Sequence, residues 1–286
     1  MTRSRTAPMS CRLALSRRPN LVDRFETALK RLEDAGRTSV VRSFRTVLAR
    51  GRVAINMSTP NLKRFLEQGH WLNIYEAVAK EDKLKGKDLN HEVRKRLQGF
   101  AEPRQALDKL FRFRRNTHYA SLNLGGAGPQ RYGFFCVVFK IENWSPFHTC
   151  FAGDSIRACF RKGGTRLLTD EEVLQGLALG ADLDLLAVVR YEEFLRKQQF
   201  CVDPRELRNM VEASDSLLEL HLHGPVRRSQ ILEVLMSRSF YDQLCDLSDR
   251  IKSCYDPEVL EFDKFLPFME VLRLLNLYRI PLVVAE

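Results

Sequence analysis

The chain has 286 residues, of which 44% are apolar, with 15 glycines and 11 prolines. This composition is typical of an ordered chain that folds as one large domain or two small ones, and it excludes disorder over the whole length. The most apolar stretches, residues 133–141 and 265–277, are interrupted by charge or proline well before the roughly 18 apolar residues that a membrane-spanning helix needs. We therefore expect no membrane partner.

The seven cysteines are odd in number, form no C-x-x-C pair and lie mostly within apolar runs. This pattern disfavours a disulfide framework and a four-thiolate zinc site. We expect reduced, buried thiols and no bound metal.

The net charge of +10 is concentrated at the start of the chain. Residues 1–50 contain 12 Arg or Lys against four acids, a net charge of +8, which leaves +2 for the rest. A basic segment can attract phosphates, acidic protein surfaces or anionic lipid. The alternative is a solvated helix face preceded by a leader.

Residues 1–20 are rich in Arg and Ser, contain no acid and lack the apolar core of a secretory signal peptide. We predict a disordered basic leader here. Mitochondrial presequences and the leaders read by bacterial injection systems share this composition.

Apolar residues at helical spacing predict two amphipathic helices within residues 21–50. Residues 52–57 predict a strand, and Thr59-Pro60 opens a helix that ends near Gly69. The charged stretch 80–96 predicts an exposed connection running into a helix, and a basic helix follows it.

Residues 118–124 and 132–141 predict two strands of a hairpin, joined by the wide loop GGAGP. Further strands are expected over 217–223 and 280–284. Helices are expected over 171–179, 191–200, 240–253 and 262–277, and another beginning at Asp203-Pro204. Because strands and helices come in clusters, the pattern indicates an α+β fold.

Three features of the sequence are candidate sites. The loop GGAGPQRYG lacks the Lys-Ser/Thr ending of a P-loop and does not open a helix, so it matches neither the P-loop nor the dinucleotide-binding fingerprint. His221 and His223 project from one strand face, as two metal ligands or as ordinary hydrogen-bonded histidines, and no third ligand can be named. Glu219 is the single acid in LLELHLHG, and strand periodicity favours a solvent-facing side chain over one that faces a cleft.

Four short motifs in this chain resemble those of a known group of proteins. They are YASLN at 119–123, RYG at 131–133, GDS at 153–155 and ELHLHGP at 219–225. Their order, within residues 52–240, is similar to that of a bacterial family with Y-x-S-L-N and E-x-x-x-H-G-P strands. It also resembles the CteC-type secreted effectors, mono-ADP-ribosyltransferases that use NAD to modify a threonine of host ubiquitin.

The resemblance implies an ADP-ribosyltransferase-like fold of two packed small β-sheets with a helical N-terminal region, in a single catalytic domain over residues 21–286. Glu219 would be the catalytic glutamate, and Ser121 would shape the nicotinamide pocket together with Tyr119 and Asn123. Arg64, or alternatively Arg52, would bind the pyrophosphate.

One position departs from the pattern of the family. Leu217 stands two residues before the glutamate, where many ADP-ribosyltransferases have a second Gln or Glu. This departure puts an activating role for a second acid in doubt and suits a hydroxyl acceptor. Without the resemblance, Ser121 and Asn123 would be interpreted as strand-edge hydrogen-bonding residues.

The expected function is therefore NAD-dependent ADP-ribosylation of a ubiquitin threonine, with NAD as substrate and no metal. The protein would be a monomer, secreted by a bacterium into the host cell cytoplasm, without nucleic-acid partners. Glu219 would stabilise an oxocarbenium-like centre, and Glu219 or His221 would remove the acceptor proton. The main alternative is a nucleic-acid-binding protein that uses the basic N-terminal region, and a third option is NAD-dependent modification of a nucleic acid.

Overall fold

The computed structural model describes residues 7–81, 83, 86–113, 115–140, 148–161, 164–213, 216–253 and 262–285. The helices of eight or more residues are α1 (Met9–Asp34), α2 (Thr38–Leu48), α3 (Thr59–Gln68), α4 (Ile74–Glu81), α5 (Gly86–Leu97), α6 (Ala101–Leu110), α9 (Leu183–Arg190), α11 (Pro204–Glu212), α12 (Arg238–Ser253) and α13 (Phe262–Leu277). The shorter helices are α7 (Ser155–Cys159), α8 (Asp170–Gln175) and α10 (Glu192–Lys197). The strands are β1 (Arg52–Met57), β2 (His70–Trp71), β3 (Thr117–Asn123), β4 (Phe135–Phe139), β5 (Thr149–Ala152), β6 (Leu177–Leu179), β7 (Leu218–His223), β8 (Val226–Arg227), β9 (Ile231–Ser237) and β10 (Leu282–Ala285).

Eight of these strands form one sheet in the order β10-β9-β4-β1-β3-β7-β5-β6, and β2 pairs with β8 in a separate ribbon. The β10–β9 pair is parallel, whereas the other pairs of the large sheet are antiparallel. The expected mixture of helices and strands is confirmed. The main strands share a single hydrogen-bonded sheet, and the finer expectation of two packed small sheets stays a prediction.

The predicted hairpin of β3 and β4 is wrong, because β1 lies between them and pairs with both. The loop from residue 124 to residue 134 is long enough to leave room for a third strand, so sequence adjacency does not force the two strands to pair. Most residues of β1 are buried, as expected for an inner strand with neighbours on both edges.

The junction between β1 and β3 is short. Its register covers three residue pairs, Arg52–Asn123, Val53–Leu122 and Ala54–Ser121. Beyond Ala54, the described pairing of β1 is with β4 only, and it continues to Met57. The remaining halves of β1 and β3 therefore separate, and this separation positions the site described below.

Strand β7 is buried on both faces. Leu218, Leu220 and Leu222 join the largest apolar cluster, which also contains Phe44, Phe65 and Phe135. Glu219 and His221 point to the other face, where they are 7% and 0% exposed. The alternation therefore predicts the strand correctly, but the expectation of a solvent-facing glutamate is wrong.

Helix α1 corrects the prediction of a disordered leader over residues 1–20, because the helix begins at Met9. Cys11 and Ala14 are buried on its inner face, which packs against α9 and β6. Residues 1–6 lie outside the described part of the chain. The expected helices within 21–50 are confirmed, the first of them as the continuation of α1.

The basic charge of α1 and α2 meets an acid-rich part of the same chain. Arg17 pairs with Glu171, and Arg18 Nε lies 3.1 Å from Asp182 Oδ1. Arg31 Nη1 lies 3.5 Å from Glu192 Oε2, and Arg45 pairs with Asp184; these contacts span 139 to 164 residues of sequence. The arginine-rich composition that resembles a leader is therefore that of helices packed on the rest of the chain, because acids of residues 171–192 pair with these arginines.

Several other boundaries differ from the predictions. The predicted helix over 171–179 ends at Gln175, and β6 follows Gly176. The helix expected over 191–200 spans Glu192–Lys197. Strands β5 and β9 were not predicted, whereas β1, α3 and the helix opened by Asp203-Pro204 are confirmed.

The cysteine prediction holds for four thiols. Cys11, Cys136, Cys150 and Cys159 are free and buried, whereas Cys201 is exposed. Cys254 lies outside the described residues. Within the described ranges, no helix combines the length and the apolar character that crossing a bilayer requires.

The packing of α1 can be tested with neighbouring substitutions. Ala14 is 2% exposed and Leu15 is 56% exposed, so Ala14→Asp buries an unpaired charge and Leu15→Asp does not. We expect Ala14→Asp to lower the melting temperature by roughly 5–10 °C and Leu15→Asp to change it little, as measured by circular dichroism. Equal effects of the two substitutions would show that this segment does not pack as a helix.

Candidate functional site

A pocket of about 340 Å³ opens where β1 and β3 separate. Ala54, Ile55 and Asn56 line it from β1, and residues 117–121 line it from β3. Its other polar lining residues are Asn61, Asn73, Arg104, Tyr132, Asp154 and Glu219, and its apolar ones include Trp71, Ile74, Leu97 and Ile156. The volume falls within the roughly 300–1,000 Å³ usual for small-molecule sites, and the mixed lining is also typical of them.

All four sequence motifs contribute to this pocket. Tyr119 and Ser121 come from YASLN, Tyr132 from RYG, Asp154 from GDS and Glu219 from ELHLHGP. These residues are spread over a hundred positions of sequence, yet they line one cavity. The motifs therefore share a spatial role, which is the main structural feature of the candidate site.

Ser121 and Glu219 are cross-strand partners in the register of β3 with β7. Directly opposite residues of an antiparallel pair have Cβ atoms roughly 4.5–5.5 Å apart on the same face, so a single ligand atom group can reach both side chains. They are 6% and 7% exposed, respectively. The predicted pairing of these two residues in one site is thus geometrically consistent.

Burial, and after it the nearby Asp154 carboxylate, raises the pKa of Glu219 to about 8, against opposing contributions from Ser155 and Arg104. The carboxyl group is therefore mainly protonated at neutral pH. A carboxyl group of this kind can exchange a proton near physiological pH, as a general acid or base must.

His221 is hydrogen-bonded to the Glu219 carboxyl group. Its Nε2 lies 2.8 Å from Glu219 Oε1, and its Nδ1 lies 3.1 Å from Thr149 Oγ1. Burial, together with the positive charge of Arg104, lowers the pKa of His221 to about 3, so the imidazole is neutral. Since the neutral ring accepts through one nitrogen and donates through the other, a protonated Glu219 donates to Nε2 and Nδ1–H donates to Thr149.

The hydrogen bonds continue to the interior face of α1. Thr149 Oγ1 lies 3.2 Å from His223 Nε2, which lies 3.1 Å from Ser10 Oγ. His223 Nδ1 is also within 3.2 Å of Thr117 Oγ1. His221 and His223 are therefore ordinary hydrogen-bonded histidines. In the described residues, no group of three or more His, Cys, Asp or Glu side chains is arranged to hold a metal ion.

Arg104 is a site residue that sequence reasoning missed. Its Nε donates to Asp108 Oδ1 at 3.0 Å, and its guanidinium lies 3.5 Å from the centroid of the Tyr119 ring. The Tyr119 hydroxyl donates to the same Asp108 oxygen at 2.9 Å. Arg104 and Asp108 lie four residues apart, a helical spacing, but nothing in that pattern indicates that the pair faces a cavity.

Asp154 organises the mouth of the pocket. It caps α7 by accepting a hydrogen bond from the backbone N–H of Arg157 at 3.0 Å. The Arg131 guanidinium and the Tyr132 hydroxyl both donate to its second oxygen. Tyr132 is half exposed, so Asp154 fixes an aromatic ring at the entrance.

Gly133 allows Tyr132 to approach β1. Its φ of +148° lies in the region that favours glycine, and a Cβ atom there would lie 2.0 Å from the carbonyl carbon of Met57. A larger residue would push the loop away from the strand. The glycine of the RYG motif therefore has a steric role.

Two predicted residues lie outside this pocket lining. Asn123 shares the strand face of Ser121, but its amide donates to the Gly126 carbonyl at 2.8 Å and accepts from the Gly125 N–H at 2.8 Å. It therefore holds the glycine loop in place. Arg64 pairs with Glu81 at the surface, and the alternative, Arg52, lies 3.6 Å from Glu233.

Comparison with known protein families, with curated proteins and with solved structures finds no match for this chain. The family resemblance therefore stays a prediction, carried by the motifs and by their convergence on one pocket.

The pKa of Glu219 gives a test of its environment. Because the folded-state pKa is raised from an ordinary value of 4.5 to about 8, its contribution to stability is present below pH 4.5, is lost as the pH rises to about 8, and is constant above that. Glu219→Gln should therefore lose less stability than the unsubstituted protein between pH 5 and pH 9, as measured by urea unfolding. Glu67→Gln, an exposed substitution, serves as the control. If the free energy of unfolding of Glu219→Gln changed with pH as it does in the unsubstituted protein, the raised pKa of Glu219 would be contradicted.

Proposed function

We propose that the pocket binds NAD and that the protein is an NAD-dependent mono-ADP-ribosyltransferase that modifies a threonine hydroxyl of ubiquitin. The observation that carries the proposal is the convergence of Tyr119, Ser121, Tyr132, Asp154 and Glu219, from four separated motifs, on one pocket. The motifs alone suggested the chemistry, and their common location supports it independently.

The sheet supports an ADP-ribosyltransferase-like arrangement. The short β1–β3 junction divides the eight strands into two groups of four, β10-β9-β4-β1 and β3-β7-β5-β6. The proposed NAD site lies where the two groups separate. We propose that these two halves of one continuous sheet correspond to the two sheets of the expected fold.

The pocket residues fit the chemical groups of NAD. Arg104 supplies a guanidinium for the pyrophosphate, the role that the resemblance assigned to Arg64. Trp71 and Tyr132 supply aromatic surfaces for the two ring systems, and Ser121 supplies a hydroxyl.

Within this proposal, NAD supplies a glycosidic bond whose cleavage leaves positive charge on the ribose. Glu219 is the carboxylate beside that charge, and an ionised Glu219 would stabilise it electrostatically. Glu219 is mainly protonated at neutral pH, but the positive charge of the nicotinamide ring, placed beside it, favours the charged form of the side chain. Ligand binding would therefore shift Glu219 toward ionisation.

Glu219 is also the better candidate to accept the proton of the threonine hydroxyl. His221 is fully buried behind it, and its low pKa makes it a poor base. We assign His221 a positioning role, since its hydrogen bond fixes the orientation of the carboxyl group. Ser121, directly opposite, is placed to orient the same ligand.

Ubiquitin as acceptor, its threonine, and delivery from a bacterium into the host cytoplasm rest on the motif resemblance. The absence of a metal requirement and a monomeric state belong to the same proposal. Nucleic-acid binding through the N-terminal region has less support, because Arg17, Arg18, Arg31 and Arg45 are paired with acids of the same chain.

The reaction can be tested by intact-mass spectrometry of ubiquitin after incubation with the protein and NAD. We expect ubiquitin to gain the mass of one ADP-ribose. Glu219→Gln, which keeps the shape of the side chain, should slow transfer by on the order of 100–1,000-fold. Glu67→Gln is the control and should retain full activity. No mass gain on ubiquitin, or full activity of Glu219→Gln, would contradict the proposal.

The choice of arginine can be tested with a matched pair. Arg104→Lys keeps the charge but loses the planar stacking on Tyr119, whereas Arg64→Lys changes only a surface ion pair. We expect Arg104→Lys to weaken NAD binding at least tenfold in calorimetric titration and Arg64→Lys to leave it within twofold. If Arg64→Lys weakened NAD binding and Arg104→Lys did not, Arg64 would be the residue that binds the pyrophosphate.

A further inference from the structure

A second concavity, of about 630 Å³, lies next to the β2–β8 ribbon. It is formed by Gly69 before β2, residues 227–229, 231 and 232 around β8 and the start of β9, Lys140 after β4, and residues 278–281 between α13 and β10. Trp71 of the same ribbon lines the first pocket, whereas Arg227, which pairs with His70 across the ribbon, lines the second. The proposed NAD site does not use this concavity.

The lining of the second concavity is strongly basic. Lys140, Arg227, Arg228 and Arg279 are four of its eleven lining residues, and none of the eleven is acidic. Within the described parts of the chain, none of these four cations forms an ion pair with an acid. This differs from α1 and α2, where acids of the same chain compensate the arginines. Four cations around one cavity repel one another, and a bound anion would relieve that repulsion.

One of the four cations is held in place. The Arg228 guanidinium lies 3.4 Å from the centroid of the Tyr278 ring, and it donates to the Leu66 carbonyl. Its backbone N–H donates to the Gly69 carbonyl at 2.9 Å. Arg228 is therefore ordered before any ligand arrives, which lowers the entropic cost of binding.

Several backbone N–H groups at the concavity are already hydrogen-bonded, which leaves side chains as the main groups for a ligand to contact. The N–H of Lys140 donates to the Gln230 carbonyl at 3.0 Å, and that of Ile280 donates to the Leu275 carbonyl at 2.9 Å. The Ser229 hydroxyl adds a neutral donor to the lining. Guanidinium and ammonium groups without competing carboxylates can bind phosphate groups through charge-assisted hydrogen bonds.

We infer that this basic concavity binds a compact ligand that carries several phosphate groups. We expect a compact ligand because the four cations surround one cavity and do not form the extended groove that a long polyanion would need. A single-stranded nucleic acid also needs free aromatic faces for its bases, and the Tyr278 ring in this lining is covered by Arg228. The inference does not depend on NAD binding in the first pocket.

The test is calorimetric titration of the full chain with inositol hexakisphosphate at about 0.15 M salt. The variant Lys140→Glu with Arg227→Glu reverses two cations of the concavity. The control, Arg42→Glu with Lys95→Glu, makes the same change in net charge at exposed sites outside it. We expect saturable binding that weakens at least tenfold in the first variant and stays within twofold in the control.

Melting temperatures of both double variants show whether the fold is retained, and Lys140→Ala provides a milder substitution that should also weaken binding. Vesicles that contain phosphatidylinositol bisphosphate distinguish a lipid headgroup from a free polyphosphate as the source of the phosphates. Absence of saturable binding to either probe, or an equal loss of binding in the control, would overturn the inference. Tighter binding of single-stranded RNA that competes with the polyphosphate would also overturn it.

Discussion

The short pairing of β1 with β3 is the constraint on which the rest of the site depends. Three residue pairs hold the two halves of the sheet together, and the pairing ends at Ala54 and Ser121. Ser121 is therefore the last paired residue of β3 at this junction and also the cross-strand partner of Glu219 on β7. A longer register would close the pocket, and a shorter one would detach the halves of the sheet.

The charges of the pocket follow from how its ions are paired. Arg104 is bound to Asp108, and Arg131 is bound to Asp154, so each cation of this region has its own carboxylate. Glu219 has a neutral imidazole as its hydrogen-bond partner instead of a cation. Burial without a dedicated counter-charge explains why its pKa rises while the surface glutamate Glu81, bound by Arg96 and Arg64, has a lowered pKa.

The sequence predicted individual helices and strands better than it predicted which elements pack against one another. The alternation of LLELHLH identifies β7, and Thr59-Pro60 identifies the start of α3, because both depend on local geometry. The burial of Glu219 could not be predicted, since Arg104 of α6 and Ser155 of α7 lie beside it and both are distant in sequence. Arg104 was missed for the same reason, as its role depends on α6 meeting β3.

The errors at the N-terminus and at β3–β4 have a related cause. Composition showed the arginines of α1 but not their partners, which lie more than 130 residues further along the chain. Strand periodicity showed β3 and β4 but not the insertion of β1 between them. The motif resemblance identified three residues that line the pocket, Tyr119, Ser121 and Glu219, whereas Asn123 supports the adjacent glycine loop and Arg64 lies at the surface.

The central claim is that the pocket around Glu219 binds NAD and that the positive charge of the nicotinamide ring ionises this side chain. The most direct measurement is calorimetric titration with NAD at pH 7 in buffers of different ionisation enthalpy, which counts the protons released on binding. Because Glu219, with a pKa of about 8, is mainly protonated at pH 7, the account predicts a net release of protons on NAD binding, at most about one per NAD, and none in Glu219→Gln. Absence of NAD binding, or equal proton release by both proteins, would contradict it.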